Sequence, residues 1–144
     1  MKILVLNGPN LNMLGRREAE HYGSLTLAEI NQRLEQVGQE LGLELSFVQS
    51  NHEGELVTAL QRAGGEFAGV VLNAAAYTHT SVALRDAVLC CGAPVVEVHL
   101  SNPAARESFR HVSYLAGACA GSIAGFGWRS YALALGWLAE NTEA

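Results

Sequence analysis

The sequence predicts an α/β fold in which helices cover both faces of a five-stranded parallel sheet. Its 144 residues fit a single domain over 1–144, and a composition of 49% hydrophobic and 16% charged residues is enough for a well-buried core. Short apolar segments of strand length recur along the chain, and segments with helical periodicity separate them. This alternation favours parallel strands joined by helical crossovers, which together form a three-layer sandwich.

Five segments have the composition of buried strands. They are residues 3–7, 43–49, 70–73, 95–100 and the glycine-rich 117–125. Five parallel strands in a chain of this length suit the flavodoxin-like order 2-1-3-4-5. Ligands of such sheets bind beyond the carboxyl ends of the strands, so the residues that directly follow each strand are the first candidates for a site.

Helices are predicted between these strands and after the last one. Capping-box patterns, in which Glu lies three positions after Ser or Thr, begin at Thr26 and Ser50. Gly42 is expected to end the first helix. Ser81 is the expected cap of the third helix, and the last helix is predicted over about residues 128–140.

Composition excludes several classes of partner. The formal net charge of -5, with only nine scattered Lys and Arg residues, argues against nucleic-acid binding. No apolar run is long enough to span a membrane, and the run at residues 1–7 is too short for a signal peptide. An odd cysteine count (Cys90, Cys91 and Cys119) favours free thiols. We therefore expect a cytoplasmic location, no nucleic-acid partner and no membrane partner.

Lysine and aspartate are each represented once, by Lys2 and Asp86. Imine chemistry needs a lysine in the site, but Lys2 begins the first predicted strand, at the end opposite to the expected ligand. The glycine-rich segment 117–127 lacks the G-x-x-x-x-G-K pattern of a phosphate-binding P-loop. Imine formation and P-loop phosphate binding are thus both disfavoured.

The loop after the first strand, about residues 10–23, is far longer than an ordinary strand-to-helix connection. It follows an Asn-Gly-Pro turn and carries Arg16 and Arg17 close to Tyr22. The simpler interpretation is that this segment is a surface loop whose charged side chains are solvated. The combination of arginines and tyrosine favours a functional lid.

Histidines follow the third and fourth strands. His79 comes shortly after Asn73, and His99 lies two residues after Glu97, so that Glu97 and His99 share one face of the strand. Glu97 could therefore orient and charge-stabilise the imidazole of His99. The structural interpretation is favoured for the remaining histidines, which are His21, His52 and His111.

Other types of site fit these residues less well. His79, Glu97 and His99 are metal-ligand types, but they lack a recognisable metal-binding spacing, so we expect no metal. A receiver-like phosphoacceptor would need acidic residues where this chain has Asn7 and Asn73. Two arginines four residues apart could share a helical face and bind an anion, or could be solvated; they are Arg106 and Arg110.

Six motifs, in order along nearly the whole chain, closely resemble the type II 3-dehydroquinate dehydratase family. They are NGPNLN (7–12), GRRE (15–18), HYG (21–23), QSNHEG (49–54), THTSVALRDA (78–87) and EVHLSN (97–102). The resemblance implies a flavodoxin-like fold and a hydro-lyase of the shikimate pathway. Such an enzyme removes water from 3-dehydroquinate by anti elimination through an enolate, without cofactor or metal, and gives 3-dehydroshikimate. No lysine imine takes part, in agreement with the scarcity of lysine.

By this resemblance Tyr22 is the catalytic base. Free tyrosine has a pKa of about 10, so its ionisation at pH 7 requires roughly 4 kcal/mol. Arg17 matches the cation that lowers this pKa, and closure of the lid would bring the two together. Many family members have proline where this chain has Ala19, so altered lid kinetics are expected without loss of activity.

The resemblance also assigns the remaining roles. His99 is the general acid, Glu97 orients it, and Asn10 helps to stabilise the enolate through a bound water. Substrate contacts are implied for Asn73, His79, Asp86, Leu100, Ser101 and Arg110. Asp86 would reach the site of a neighbouring subunit, since the family forms dodecamers built from trimers. The alternative is a non-catalytic carboxylate- or polyol-binding module of the same fold, because many of these side chains hydrogen-bond rather than react.

Overall fold

Five parallel strands form the centre of the computed structural model, which describes residues 1–16 and 23–142. The strands are β1 (Lys2–Asn7), β2 (Glu44–Gln49), β3 (Gly69–Asn73), β4 (Val95–His99) and β5 (Gly121–Ala124). Their spatial order is β2-β1-β3-β4-β5, which confirms the predicted flavodoxin-like sheet. The fifth strand is shorter than expected, since only four residues of the glycine-rich segment pair with β4.

Four helices pack on the sheet. They are α1 (Leu27–Leu41), α2 (Glu53–Ala63), α3 (Val82–Cys90) and α4 (Arg129–Asn141). Alternate residues of β1 point to opposite faces: Ile3 and Val5 join the core shared with α1 and α4, whereas Leu4 and Leu6 join the core shared with α2 and α3. The sheet is thus the middle of three layers. Within the described residues there is no helix with the length and apolar character needed to cross a membrane.

Two of the three predicted N-terminal caps are confirmed, and Gly42 ends α1 as expected. Thr26 forms the capping box of α1, because the backbone N–H of Glu29 donates to Thr26 Oγ1 at 3.2 Å and the Glu29 carboxylate accepts from the Thr26 N–H. Ser81 caps α3 by accepting from the backbone N–H of Leu84 at 2.9 Å. Both helices therefore begin at the residue that the local sequence pattern predicts.

The capping box predicted at Ser50 is wrong. The N-cap of α2 is His52, and its side chain makes no capping hydrogen bond. Ser50 Oγ instead accepts from the backbone N–H of His52 at 3.0 Å and donates to the carboxylate of Glu55. The chain turns before the helix begins, so Ser50 stabilises the turn between β2 and α2 rather than the first turn of the helix.

Candidate active site

A cavity of about 150 Å³ lies at the carboxyl end of the sheet, beyond β1, β3 and β4. It is lined by Pro9, Asn10, Leu11, Asn73, Ala75, Ala76, His79, His99, Leu100, Ser101, Pro103, Arg106 and Arg110. Seven of the predicted site residues are brought together in this way, namely Asn10, Asn73, His79, His99, Leu100, Ser101 and Arg110. The cavity therefore lies beyond the carboxyl ends of the strands, where the sequence analysis predicted a site.

The other predicted site residues stand apart from this lining. Glu97, in β4, is not part of the lining, but its Oε2 lies 3.2 Å from Nε2 of His99, which is. Asp86 is exposed on α3 and does not line the cavity of its own chain. Arg17 and Tyr22 lie outside the described residues, as does most of the second half of the predicted lid.

Glu97 is a buried carboxylate, only 2% exposed, surrounded by hydrogen-bond donors. His99 Nε2 lies 3.2 Å from Glu97 Oε2, Ser113 Oγ donates to the same oxygen at 2.6 Å, and the Ser122 hydroxyl donates to Oε1. Burial opposes ionisation, but the hydrogen bonds from His99, Ser113 and Ser122 outweigh it and hold the pKa of Glu97 below its usual 4.5. Glu97 is therefore ionised at neutral pH and accepts the Nε2–H of His99.

The two cavity histidines are oriented by different acceptors. His79 Nδ1 lies 2.8 Å from the backbone carbonyl of Val112, and a carbonyl can only accept, so Nδ1 carries the proton. The rings of His79 and His99 are stacked, with centroids 6.5 Å apart and planes inclined by 17°. In this arrangement Nε2 of His79 and Nδ1 of His99 are the nitrogens left for a bound molecule.

Asn73 is fixed by a buried tyrosine that the sequence analysis did not single out. Tyr131 of α4 donates its hydroxyl proton to Asn7 Oδ1 at 2.6 Å and accepts from Asn73 Nδ2 at 2.8 Å. Complete burial raises the pKa of Tyr131, so its hydroxyl stays protonated. Asn73 Oδ1 accepts from the backbone N–H of Ala75 at 3.0 Å. Asn73 can thus offer its second Nδ2 proton to the cavity, as a donor.

The cavity has a basic wall formed by Arg106 and Arg110. The shared helical face considered from the sequence is wrong, because the two residues belong to separate 3-10 turns, Pro103–Ala105 with Arg106 at its C-cap and Ser108–Arg110. Both guanidinium groups approach Glu107, with Arg110 Nε 3.1 Å and Arg106 Nε 3.7 Å from its Oε1. The two guanidinium groups supply hydrogen-bond donors of the kind that bind carboxylates.

Comparison with known proteins gives one consistent result. The family model described as "Dehydroquinase class II" matches residues 1–139. A 3-dehydroquinate dehydratase of Acidovorax sp. (strain JS42) is 59% identical over 143 residues, covering 96% of this chain and 97% of the relative. One of Roseiflexus castenholzii is 55% identical over 138 residues, with coverage of 96% and 88%.

Solved structures agree with the sequence comparison. The type II dehydroquinase from Propionibacterium acnes superposes with a TM-score of 0.94 at 45% identity, over 97% of each chain. The type II dehydroquinase from Butyrivibrio crossotus gives a TM-score of 0.93 at 41% identity, over 96% of this chain and 97% of the other. The whole sheet and its helices are therefore shared with these proteins.

Proposed function

The chain belongs to the class II dehydroquinase family, and we propose that it is a hydro-lyase that converts 3-dehydroquinate to 3-dehydroshikimate in the shikimate pathway. The observation that carries the proposal is the match of residues 1–139 to this family. The cavity supports it independently, because it combines a carboxylate-paired histidine, a donor amide and a basic wall. A hydroxylated carboxylate substrate needs these groups.

The proposed reaction begins with proton abstraction. The phenolate of Tyr22, stabilised by Arg17, takes the proton next to the substrate ketone, and the C–H electron pair forms an enolate. Asn10 stabilises the enolate oxygen through a bound water. These roles for Arg17 and Tyr22 rest on the family motif, since both residues lie outside the described part of the chain.

Loss of the hydroxyl completes the elimination. The enolate reforms the ketone as the carbon–carbon double bond forms and the C–O bond breaks on the opposite face. His99 protonates the departing hydroxyl, which leaves as water. Because Nε2 of His99 is directed to the Glu97 carboxylate, we assign the transferred proton to Nδ1. Solvent then takes the proton from Tyr22 and returns one to His99, and no cofactor takes part.

Substrate binding is proposed for the remaining cavity residues. The turn at Leu100 and Ser101 receives the substrate carboxylate, and Arg110 contacts the substrate from the same cavity. Asn73 acts as a donor through its free Nδ2 proton, and His79 as an acceptor through Nε2. The roles of Asn73 and His79 follow from the partners that each side chain already has within the protein, and the other contacts rest on the family motif.

We further propose a cytoplasmic homo-oligomer, a dodecamer built from trimers. The position of Asp86 supports it: the side chain is exposed on α3 and does not line its own cavity, as a residue that serves a neighbouring subunit would be. Size-exclusion chromatography with light scattering measures the assembly directly. A monomer that turns over substrate at full rate would contradict both the assembly and the role of Asp86.

The function is tested by mixing chelator-treated protein with 3-dehydroquinate and following the absorbance of the conjugated enone. Borohydride added with substrate should not inactivate the protein, because no imine forms. Tyr22→Phe should lower kcat by about 10²- to 10⁴-fold, the usual contribution of a general base, while calorimetry still detects ligand binding. Binding without turnover in the wild type would instead indicate a non-catalytic carboxylate-binding module.

A further inference from the structure

The QSNHEG turn, residues 49–54, contributes no side chain to the lining of the cavity, yet it contacts the loop after β1. Gln49 Nε2 donates to the backbone carbonyl of Gly8 at 3.1 Å and to Asn51 Oδ1 at 3.1 Å. Asn51 Oδ1 also accepts the backbone N–H of Asn10 at 3.0 Å. Two amide side chains thus bind the main chain on both sides of Pro9.

Asn10 needs such support because its backbone is left-handed, with φ 67° and ψ -3°. A non-glycine residue adopts this conformation at an energetic cost, although Asn tolerates it better than most. Its carbonyl accepts from the N–H of Met13 at 3.0 Å, which begins the turn Leu11–Met13. Asn10 is therefore held through its own N–H and C=O groups, while its side chain remains available to the cavity.

We propose that Gln49 and Asn51 are positioning residues, which fix the left-handed backbone of Asn10 and thereby the direction of its side chain toward the enolate. The inference rests on the role proposed above for Asn10. A third contact anchors the pair, because the Tyr77 hydroxyl donates to the backbone carbonyl of Asn51 at 2.8 Å. The turn after β2 is thus tied to the loops after both β1 and β3.

The polarity of these hydrogen bonds provides a matched test. Gln49 uses both protons of its amide, whereas Asn51 uses only its oxygen in the contacts with Asn10 and Gln49. Asn51→Asp keeps the acceptor oxygen in place. Gln49→Glu replaces the donor amide with a carboxylate, which has no proton to donate to the Gly8 carbonyl and Asn51 Oδ1. Both substitutions are nearly isosteric and add one negative charge to the same turn, so an effect of charge alone would be equal in the two.

We expect Gln49→Glu to lower kcat about tenfold, which corresponds to the loss of one or two hydrogen bonds. Asn51→Asp should keep kcat within about threefold of the wild type, because exposed hydrogen bonds to a carboxylate are at least as strong. Any change in KM due to the added charge should be similar in both variants. Equal losses of kcat in the two would overturn the proposal.

A double-mutant cycle tests whether the turn acts through Asn10. Asn51→Ala alone should lower kcat severalfold, and should add nothing when Asn10 is already Ala. Fully additive losses would overturn the proposal, even if Gln49→Glu proved too unstable to assay. A wild-type protein without turnover would overturn the proposed function instead, so that the two failures are distinguishable.

Discussion

The carboxyl ends of β4 and β1 carry two parts of one cavity for which we propose roles in the reaction, and they are held in place differently. At β4, Glu97 is 2% exposed and binds His99 and two serine hydroxyls by side-chain hydrogen bonds. At β1, Asn10 is exposed and is held through its main chain by amides of a neighbouring loop. A buried charge network fixes one side chain firmly, whereas amides that are exposed or half-buried hold their partner less firmly.

The largest effect in this comparison is expected at the β4 end. His99→Ala removes the proposed general acid and should lower kcat by about 10²- to 10⁴-fold with little change in KM. Steady-state kinetics on 3-dehydroquinate measure both. His52→Ala is the control, since His52 is exposed and its side chain makes no capping hydrogen bond. A comparable loss in the control would contradict the special role of His99.

Glu97→Gln should have the next largest effect. The neutral amide leaves the imidazolium of His99 without its counter-charge, so kcat should fall about 10- to 100-fold, in line with the loss of a hydrogen bond to a charged group. Steady-state kinetics on 3-dehydroquinate measure the loss, with His52→Ala again as the control. A kcat equal to that of the wild type would contradict a role of Glu97 in orienting His99.

The same variant gives a prediction on stability. Hydrogen bonds hold the pKa of Glu97 below 4.5, so the folded carboxylate stabilises the protein above that pH. This contribution is lost as pH falls through the lowered pKa of the folded state. Gln does not titrate. Urea unfolding between about pH 5 and pH 2 should therefore show a weaker dependence on pH in Glu97→Gln than in the wild type.

The smallest effect is expected from the main chain at the β1 end. A Cβ at Gly8 would lie 2.6 Å from the backbone oxygen of Ala74, so Gly8→Ala must push the loops after β1 and β3 apart. We expect the free energy of unfolding to fall by about 1–3 kcal/mol, and kcat to fall severalfold as Asn10 shifts. Gly54→Ala is the matched control, because its Cβ would meet nothing within 4 Å. Equal stability of the two variants would refute the close approach at Gly8.

The sequence was sufficient for those parts of the molecule that depend on neighbours along the chain. Strand periodicity, the cap at Thr26 and the positions of His79 and His99 after their strands are local patterns. The cap predicted at Ser50 is wrong because the local pattern matched a capping box, whereas the Ser50 hydroxyl donates to the nearby carboxylate of Glu55. A local pattern does not reveal which of two close partners is preferred.

The hydrogen-bond partners of Asn7, Asn73 and Glu97 were not predicted from the sequence, because they are distant from these residues along the chain. Tyr131 bonds Asn7 across 124 positions and Asn73 across 58, and in the sequence it resembles an ordinary core residue of a helix. Ser113 and Ser122 reach Glu97 from 16 and 25 positions away. The packing of α4 brings Tyr131 to the site, the pairing of β5 with β4 brings Ser122, and the segment before β5 brings Ser113.

The place of Tyr131 in the last helix has a consequence for synthesis of the chain. Until α4 has left the ribosome, the side chains of Asn7 and Asn73 lack the hydroxyl that joins them, and Glu97 receives Ser122 only once β5 has been made. Buried polar groups without partners are destabilising. A prematurely terminated chain would therefore lack these hydrogen bonds at the carboxyl end of the sheet. We expect this end of the sheet to be the least stable part of such a chain and the part most open to proteases.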